Sequence, residues 1–499
     1  MVCGPPGRSV AACLVCAGAA STVCLACQVA LVGGTARVRF RVGFFGGTCY
    51  WVGLTIVGWT GSQIGWLAWL GLTFVLAGYY AAWAALARWL YGRTTGGARV
   101  VSIAAAWVLM EWARTVGSLT MPWQQLSYTQ FANVPVLQFC DLTGAYGLSF
   151  LLMLCNVSLA EWYTARGLPQ SSRWLWSSLT LGGMVWLFGL ARMQQPEPGS
   201  PIRAAAMQSN FSVRESLSDI PVNLDIFSRM SAEAASARSR PDLILWSESA
   251  APGDALYYEP TRRTIAGLAS AERIPLLVGS RVSEPETGVD ANSSLLFAPS
   301  GEVQRYDKQQ LVPFGEFIPF RKYIPAAVAR SFGFFDRDVR RGDRPAVFRI
   351  PTASGQQARI GPFICYESMY PDYARAAVRA GANVLVTQSN DAWFQSTAAM
   401  EQHLAAVVLR AVENRRWIIR STTSGVTCFV DTNGRVTARA PLRRRAVLNA
   451  EARLTVGQSF YARFGDWFVD LCAAIVVICG FVIPRIRARA DTTVDKERA

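Results

Sequence analysis

The stretch GPFICYES, residues 361–368, carries an apolar run into a lone cysteine, Cys365, followed by a tyrosine, a carboxylate and a serine. Two other segments bring reactive side chains to similar places: Glu248 ends DLILWSES, and Lys308 lies in the loop-like RYDKQQLVPFGEFIPF. A side chain at the end of a strand in an α/β sheet faces the crevice where ligands bind. A cysteine attacks as thiolate, which a nearby cation favours and a carboxylate base can generate by taking the proton. A lysine beside them can stabilise the oxyanion of a tetrahedral intermediate, together with backbone N–H groups near the nucleophile. Singly, each residue has an ordinary alternative: an exposed carboxylate, a solvated lysine, a packed cysteine. Together they make a nucleophilic set that needs no histidine.

That matters because the chain has one histidine, His403. A Ser-His-Asp triad would have to use it, and a histidine-ligated metal site is nearly excluded. It lies in the helical pattern EQHLAAVVLRAVENRR, where a Cys365–His403 dyad is the rival catalytic reading. Of 12 cysteines, most lie in apolar segments and read as small hydrophobes, Cys428 among them. Cys13, Cys16, Cys24 and Cys27 mimic a zinc spacing, but the apolar helix around them offers no polar support.

The 499 residues leave room for more than one domain, and 49 basic against 34 acidic residues give +15. Such an excess suits nucleic acid or an anionic membrane. No phosphate loop, zinc finger or basic helix with interleaved aromatics speaks for nucleic acid. Apolar runs speak for the bilayer: 10–33, 43–59, 64–87, 100–113, 143–160, 174–191 and 467–484, each near the length of about 20 residues needed to span it. Trp59, Trp89, Tyr91, Trp174 and Trp176 sit at segment ends as interfacial anchors. Arginines fall in alternate loops (37–41, 88–99, 166–173 and 485–489), while loops 60–63 and 117–142 carry no Lys or Arg. One topology satisfies all of them, with the basic loops cytoplasmic and the long polar stretch outside. The side of Met1 depends on whether 10–33 crosses once or forms a hairpin. A cleavable signal peptide after Arg8 is the less favoured option.

The expected organisation is therefore a helical membrane domain (1–193), an extracytoplasmic α/β domain (194–465), a last membrane helix (466–486) and a cytoplasmic basic tail (487–499). Within 194–465, strand-like runs at 202–208, 243–247, 275–281, 293–298, 359–366, 383–388, 417–421 and 425–430 alternate with helical periods. The helices are expected at 222–238, 260–271, 370–380 and 397–415, and DTNGRV (431–436) reads as a hairpin turn. Glu111 and Arg114, three apart near a span's end, are intramembrane charges that could meet a lipid head group, pair, or snorkel.

The segments WSESA (246–250), YDKQQLVPFGEFIP (306–319), ICYES (364–368), SNDAWF (389–394) and RSTTSGVTCFVD (420–431) resemble the nitrilase superfamily. More narrowly, they resemble its membrane branch, the apolipoprotein N-acyltransferases. GFFGGTCYWVG (43–53), MEWARTVGSLTMPW (110–123) and YARFGDW (461–467) resemble that branch's helical segments and its junction into the last helix. The similarity spans roughly residues 40–485. It implies a multi-span helical domain joined to a nitrilase-like αββα sandwich.

The resemblance also implies roles. Glu248 would be the general base, Lys308 the oxyanion stabiliser, Cys365 the acyl-accepting nucleophile and Glu316 a second acid orienting the lysine. Tyr366 and Glu367 would shape the pocket, and Asn390 and Trp393 would contact substrate in the cleft. No metal or cofactor is implied. The reaction implied moves an acyl chain from a membrane phospholipid, through a Cys365 thioester, to the α-amine of a diacylglyceryl-cysteine on an apolipoprotein, in the inner (plasma) membrane. A monomer is expected. The chain departs from the family at Ser247, where proline is usual, and at Gln309 and Gln310, where histidine is common after the lysine. Two alternatives compete: a membrane-tethered amidase or nitrile hydrolase using the same triad, and a non-enzymatic transporter or lipid-binding protein.

Overall fold

The computed structural model describes residues 34–165, 168–197, 199–212, 215, 220–325, 338–395 and 397–486. The first apolar run, the four-cysteine pattern within it and the basic tail lie outside these residues. The chain forms two compact units. One contains the chain up to Val116, Met121–Gln195 and the chain from Phe464; the other contains Gly117–Thr120 and Pro196–Arg463.

The first unit is helical. Its helices are α1 (Gly34–Thr60), α2 (Ile64–Tyr91), α3 (Gly96–Ala113), α4 (Cys140–Thr164) and α5 (Pro169–Met193), with a last helical run at Trp467–Ile486. Among the described residues α2, α4, α5 and the last run are long and apolar enough to cross a membrane. Their interior is aromatic and close-packed: Tyr80 and Trp83 each set a ring edge-on to Trp107 with centroids 5.0 Å apart. Leu67 and Phe74 on α2 and Trp176 and Leu187 on α5 point outward, as side chains facing lipid do. Glu111 and Arg114 are fully buried, so neither snorkels. Glu111 Oε1 accepts the Leu126 N–H at 2.7 Å, and Arg114 donates to the Trp123 carbonyl at 3.1 Å. Both side chains thus secure the loop after α3.

The second unit is an αββα sandwich. Its strands are β1 (Ser200–Gln208), β2 (Leu243–Leu245), β3 (Ala251–Asp254), β4 (Leu276–Ser283), β5 (Asp290–Phe297), β6 (Val303–Asp307), β7 (Phe348–Pro351), β8 (Gln357–Ile364), β9 (Val384–Ser389), β10 (Ile418–Thr422), β11 (Cys428–Val430), β12 (Val436–Arg439) and β13 (Ala446–Leu454). One sheet runs β13-β1-β2-β4-β5-β6, with β3 also paired to β4; the other runs β12-β11-β10-β9-β8-β7. Ile202, Leu243, Leu277 and Leu296 of the first sheet share one apolar core with Ile360, Val384, Ile419 and Phe429 of the second. The outer face of the first sheet buries Phe227, Met230 and Ala234 of α6 (Ile220–Ala235) and Ile265 and Ala269 of α7 (Glu259–Glu272). Helices α8 (Pro371–Arg379) and α9 (Ala399–Asn414) cover the second sheet.

Within each sheet the central pairs are parallel: β1–β2–β4 in one, β8–β9–β10 in the other. Strands buried on both faces read as continuous apolar runs, which is why these were visible in the sequence. Five strands were not anticipated: β3, β6, β7, β12 and β13. Most lie toward sheet edges in antiparallel pairing, where exposed polar side chains hide the pattern.

Candidate active site

Glu248 follows β2 and is reached through a close backbone approach. A Cβ on Gly279 would lie 2.4 Å from the Ser247 carbonyl oxygen and 2.7 Å from Glu248 Cα, so only glycine lets β4 pass there. Ser247 binds Thr423 of the opposite sheet through their hydroxyls at 3.2 Å, a tie that proline would not supply. Lys308 directly follows β6 and keeps the ladder going by donating its N–H to the Asn292 carbonyl at 2.8 Å. Cys365 directly follows β8 in left-handed backbone, φ 49°, and opens the 3₁₀ turn Cys365–Met369. That conformation costs a non-glycine residue about 1–2 kcal/mol. A β-strand turning sharply at its end presents the next side chain away from the sheet.

Glu248 and Lys308 form one ionic cluster with Glu316. Lys308 Nζ lies 3.2 Å from Glu248 Oε1 and 3.0 Å from Glu316 Oε1, with the lysine and Glu248 buried. Asn292, on β5, donates its amide to the same two oxygens at 2.8 and 2.9 Å. Glu248 Oε2 takes the Asn390 N–H at 2.7 Å, and Glu316 Oε2 takes the Val312 N–H at 2.9 Å. Burial alone would lower the Lys308 ammonium, but the charges of Glu248 and Glu316 outweigh it and hold the group well above the ordinary lysine range. Burial and the Glu248 carboxylate push the Cys365 thiol well up, against the pull of Lys308 and a hydrogen bond from Ser389. The resting thiol therefore keeps its proton, and a base must remove it.

Glu367 plays a different part. Its carboxylate accepts the N–H of Ile364 at 2.5 Å, of Gln309 at 2.6 Å and of Gln310 at 3.2 Å, and the Tyr306 hydroxyl at 2.8 Å. It thus ties the turn holding Cys365 to the loop holding Lys308. Burial raises its pKa to about 7, against the pull of these donors. Tyr366 is buried and donates its hydroxyl to the Thr120 carbonyl at 2.8 Å; Tyr370 donates to Thr120 Oγ1 at 2.5 Å. Asn390 acts through its N–H on Glu248, and its side chain accepts the Ala392 N–H at 3.3 Å. Trp393 is half-buried in the turn Asp391–Phe394.

Sequence reasoning missed Asn292, Thr120 and the Asp391–Arg420 pair behind the nucleophile turn. Nothing in DANSSLLF sets Asn292 apart, since Asp290, Ser293 and Ser294 beside it are polar too. His403 does not take the dyad role in this geometry: its ring meets the carbonyl oxygen of Cys365 at 3.0 Å.

Both parts of the chain match known families. The carbon-nitrogen hydrolase family matches residues 203–461, and the apolipoprotein N-acyltransferase N-terminal domain matches residues 8–158. The apolipoprotein N-acyltransferase of Geobacter metallireducens is 35% identical over 468 residues, covering 89% of this chain and 87% of the relative. That of Azotobacter vinelandii is 32% identical, covering 90% of this chain and 88% of the relative. Among solved structures, an amidase from Nesterenkonia sp. is 19% identical with a TM-score of 0.40, covering 55% of this chain and 97% of the amidase. The two family matches and the near full-length relatives converge: this chain belongs to the apolipoprotein N-acyltransferase family and is an acyltransferase that pairs a nitrilase-like αββα fold with a helical N-terminal domain.

Proposed function

We propose that the enzyme transfers a fatty acyl chain in two half-reactions through a thioester on Cys365. Glu248 takes the thiol proton, and the thiolate attacks the carbonyl carbon of a phospholipid ester. The oxyanion that forms is stabilised by the Lys308 ammonium, which Glu316 orients. Collapse breaks the bond to the glycerol oxygen; that oxygen takes the proton from Glu248 and leaves as a lysophospholipid. In the second half-reaction the neutral α-amine of a diacylglyceryl-cysteine attacks the thioester. Glu248 accepts the proton of the amine, the amide forms, and the Cys365 sulfur departs and is reprotonated. Water exclusion from the buried cluster strengthens each of these electrostatic contacts.

The observation that carries this reading is the ammonium of Lys308 clamped at 3.2 and 3.0 Å between two carboxylates, sharing its field with a thiol that cannot ionise unaided. Both substrates carry acyl chains, so a chain with membrane-spanning helices lets them arrive by lateral diffusion. The alternation of arginine-rich and arginine-free loops supports a multi-pass protein of the plasma membrane with the αββα domain on its outer, periplasmic side. Asn390 and Trp393 are proposed to border the substrate cleft, and the enzyme is proposed to act as a monomer.

The deciding experiment is mass spectrometry of the purified protein incubated with phospholipid alone. An acyl adduct on the peptide containing Cys365, absent in Cys365→Ala and discharged by a lipopeptide amine, is the expected result. Free fatty acid or ammonia without N-acylation would indicate a hydrolase instead, and an unmodified Cys365 would overturn the mechanism.

A further inference from the structure

The one histidine of the chain is fully buried on α9, and its two ring nitrogens face different partners. Nε2 lies 3.0 Å from the carbonyl oxygen of Cys365 and 2.7 Å from Ser368 Oγ, which itself donates to that carbonyl at 2.7 Å. Nδ1 lies 3.1 Å from the Arg420 guanidinium and 3.2 Å from Asp391 Oδ1. Arginine only donates, so its contact requires Nδ1 to accept. Asp391 is supplied independently, by Arg420 at 2.8 Å on Oδ2 and by Ser389 Oγ at 2.6 Å on Oδ1. A neutral imidazole with its proton on Nε2 satisfies the contacts with Arg420, Ser368 and the Cys365 carbonyl, and leaves Asp391 Oδ1 to the Ser389 hydroxyl. Burial and the Arg420 charge push His403 below its ordinary range, in keeping with that form. Gly425 leaves the room: a Cβ there would come within 2.1 Å of Asp391 Oδ2.

The carbonyl that receives these two donors belongs to a residue in left-handed backbone. Such a conformation persists only where its surroundings over-determine it. We infer that His403 is a positioning residue: as a fixed Nε2–H donor, its tautomer set by Arg420, it pins the peptide plane after Cys365 and so holds the left-handed turn that presents the thiol to the acyl carbonyl. Asp391 and Arg420 act through it. His403 itself neither removes the thiol proton nor touches the substrate. The inference rests on Cys365 being the acyl-accepting nucleophile.

The test compares the full-length wild-type enzyme with His403→Met and His403→Gln. Met fills the space without a donor, while Gln can place an amide N–H near Nε2. The rate of acyl-adduct formation from mixed micelles of a diacyl phospholipid is followed across pH, with thermal unfolding as a control. Losing one positioned hydrogen bond should slow His403→Met about 10- to 100-fold. His403→Gln should stay within about 5-fold of wild type, with the limbs of its pH–rate profile unmoved. If the wild type forms no adduct, the reading of Cys365 fails. If the wild type forms it and His403→Met is equally fast, the positioning role alone fails. A limb lost in His403→Gln, or a drop as deep as that of His403→Met, also overturns it. Should His403→Met not fold, the rate and profile of His403→Gln decide by the same criteria.

Discussion

Two buried clusters of charge stand a few residues apart in the αββα unit, and they are built differently. In the first, Lys308 faces Glu248 and Glu316, and Glu316 retains some contact with solvent. Burial and the Glu248 charge push the thiol up, and the two carboxylates hold the ammonium up against burial. In the second, Asp391, His403 and Arg420 are completely enclosed and hydrogen-bonded to one another and to the backbone. There Arg420 overcomes burial and holds the Asp391 carboxyl well below the usual range. Perturbed ionisation thus marks both clusters, so perturbation alone does not separate chemistry from scaffolding. What separates them is the presence of a nucleophile with no base but a neighbouring carboxylate.

The comparison can be broken at either cluster. Replacing Cys365 with Ser should abolish adduct formation, a loss of at least about 10³-fold; retained transfer in vitro would place the nucleophile elsewhere. Glu248→Gln should cost about 10²- to 10⁴-fold in acyl transfer at pH 7 by removing the base. The same change removes a charge that raises the thiol, so alkylation of Cys365 by iodoacetamide at pH 9 should become faster than in the wild type. Slower alkylation at that pH would show that the carboxylate does not act on the thiol electrostatically.

In the second cluster, Arg420→Met strands a buried carboxylate and should lower stability by about 3–5 kcal/mol, read as an earlier thermal transition. The sign with pH follows from the depressed Asp391 value: its stabilising contribution is present above the unfolded aspartate pKa and lost as pH falls through the folded one. Arg420→Met should therefore differ most from the wild type at neutral pH and least in strong acid. Asn292→Ala should lower kcat by about 10-fold with KM little changed, because it frees both carboxylates around the lysine without removing any of them. Ser247→Ala should cost under about 1 kcal/mol, since it removes one cross-sheet hydrogen bond and leaves Glu248 in place. A larger effect would mean that the cross-sheet tie holds the base.

Much of this fold could be read from residues. The apolar runs of β1, β2, β4, β8, β9 and β10 are strands buried on both sides, and β8 leads directly into Cys365. DTNGRV connects β11 to β12, with Gly434 in positive φ as such a turn requires. The helices α6 to α9 fall within two or three residues of their expected bounds. The strands that escaped notice carry Arg, Glu and Gln on exposed faces, as in VQRYD and AVLNAEARL, where packing on one side only leaves a weak period. At the site, reactive residue types announced themselves. The residues that hold them could not, because Asn292, Thr120 and Asp391 acquire meaning only when strands far apart in the chain converge. Ser247 and the two glutamines after Lys308, read as departures from the family, proved to be hydrogen-bonded members of the structure: Gln309 reaches the Tyr306 hydroxyl at 3.2 Å and Gln310 accepts from Tyr373 at 3.0 Å.

One consequence of the Glu367 knot reaches beyond any single substitution. Because a single carboxylate gathers amides from both sides of the reaction centre, the electrophile-stabilising arm and the nucleophile-bearing arm cannot drift independently. Lengthening the chain between Tyr306 and Val312 by one residue would misalign both at once, while the same insertion in the exposed turn between β4 and β5, at residues 285–288, would be silent. The enzyme's tolerance to insertion is therefore set by where this one side chain has tied its strings.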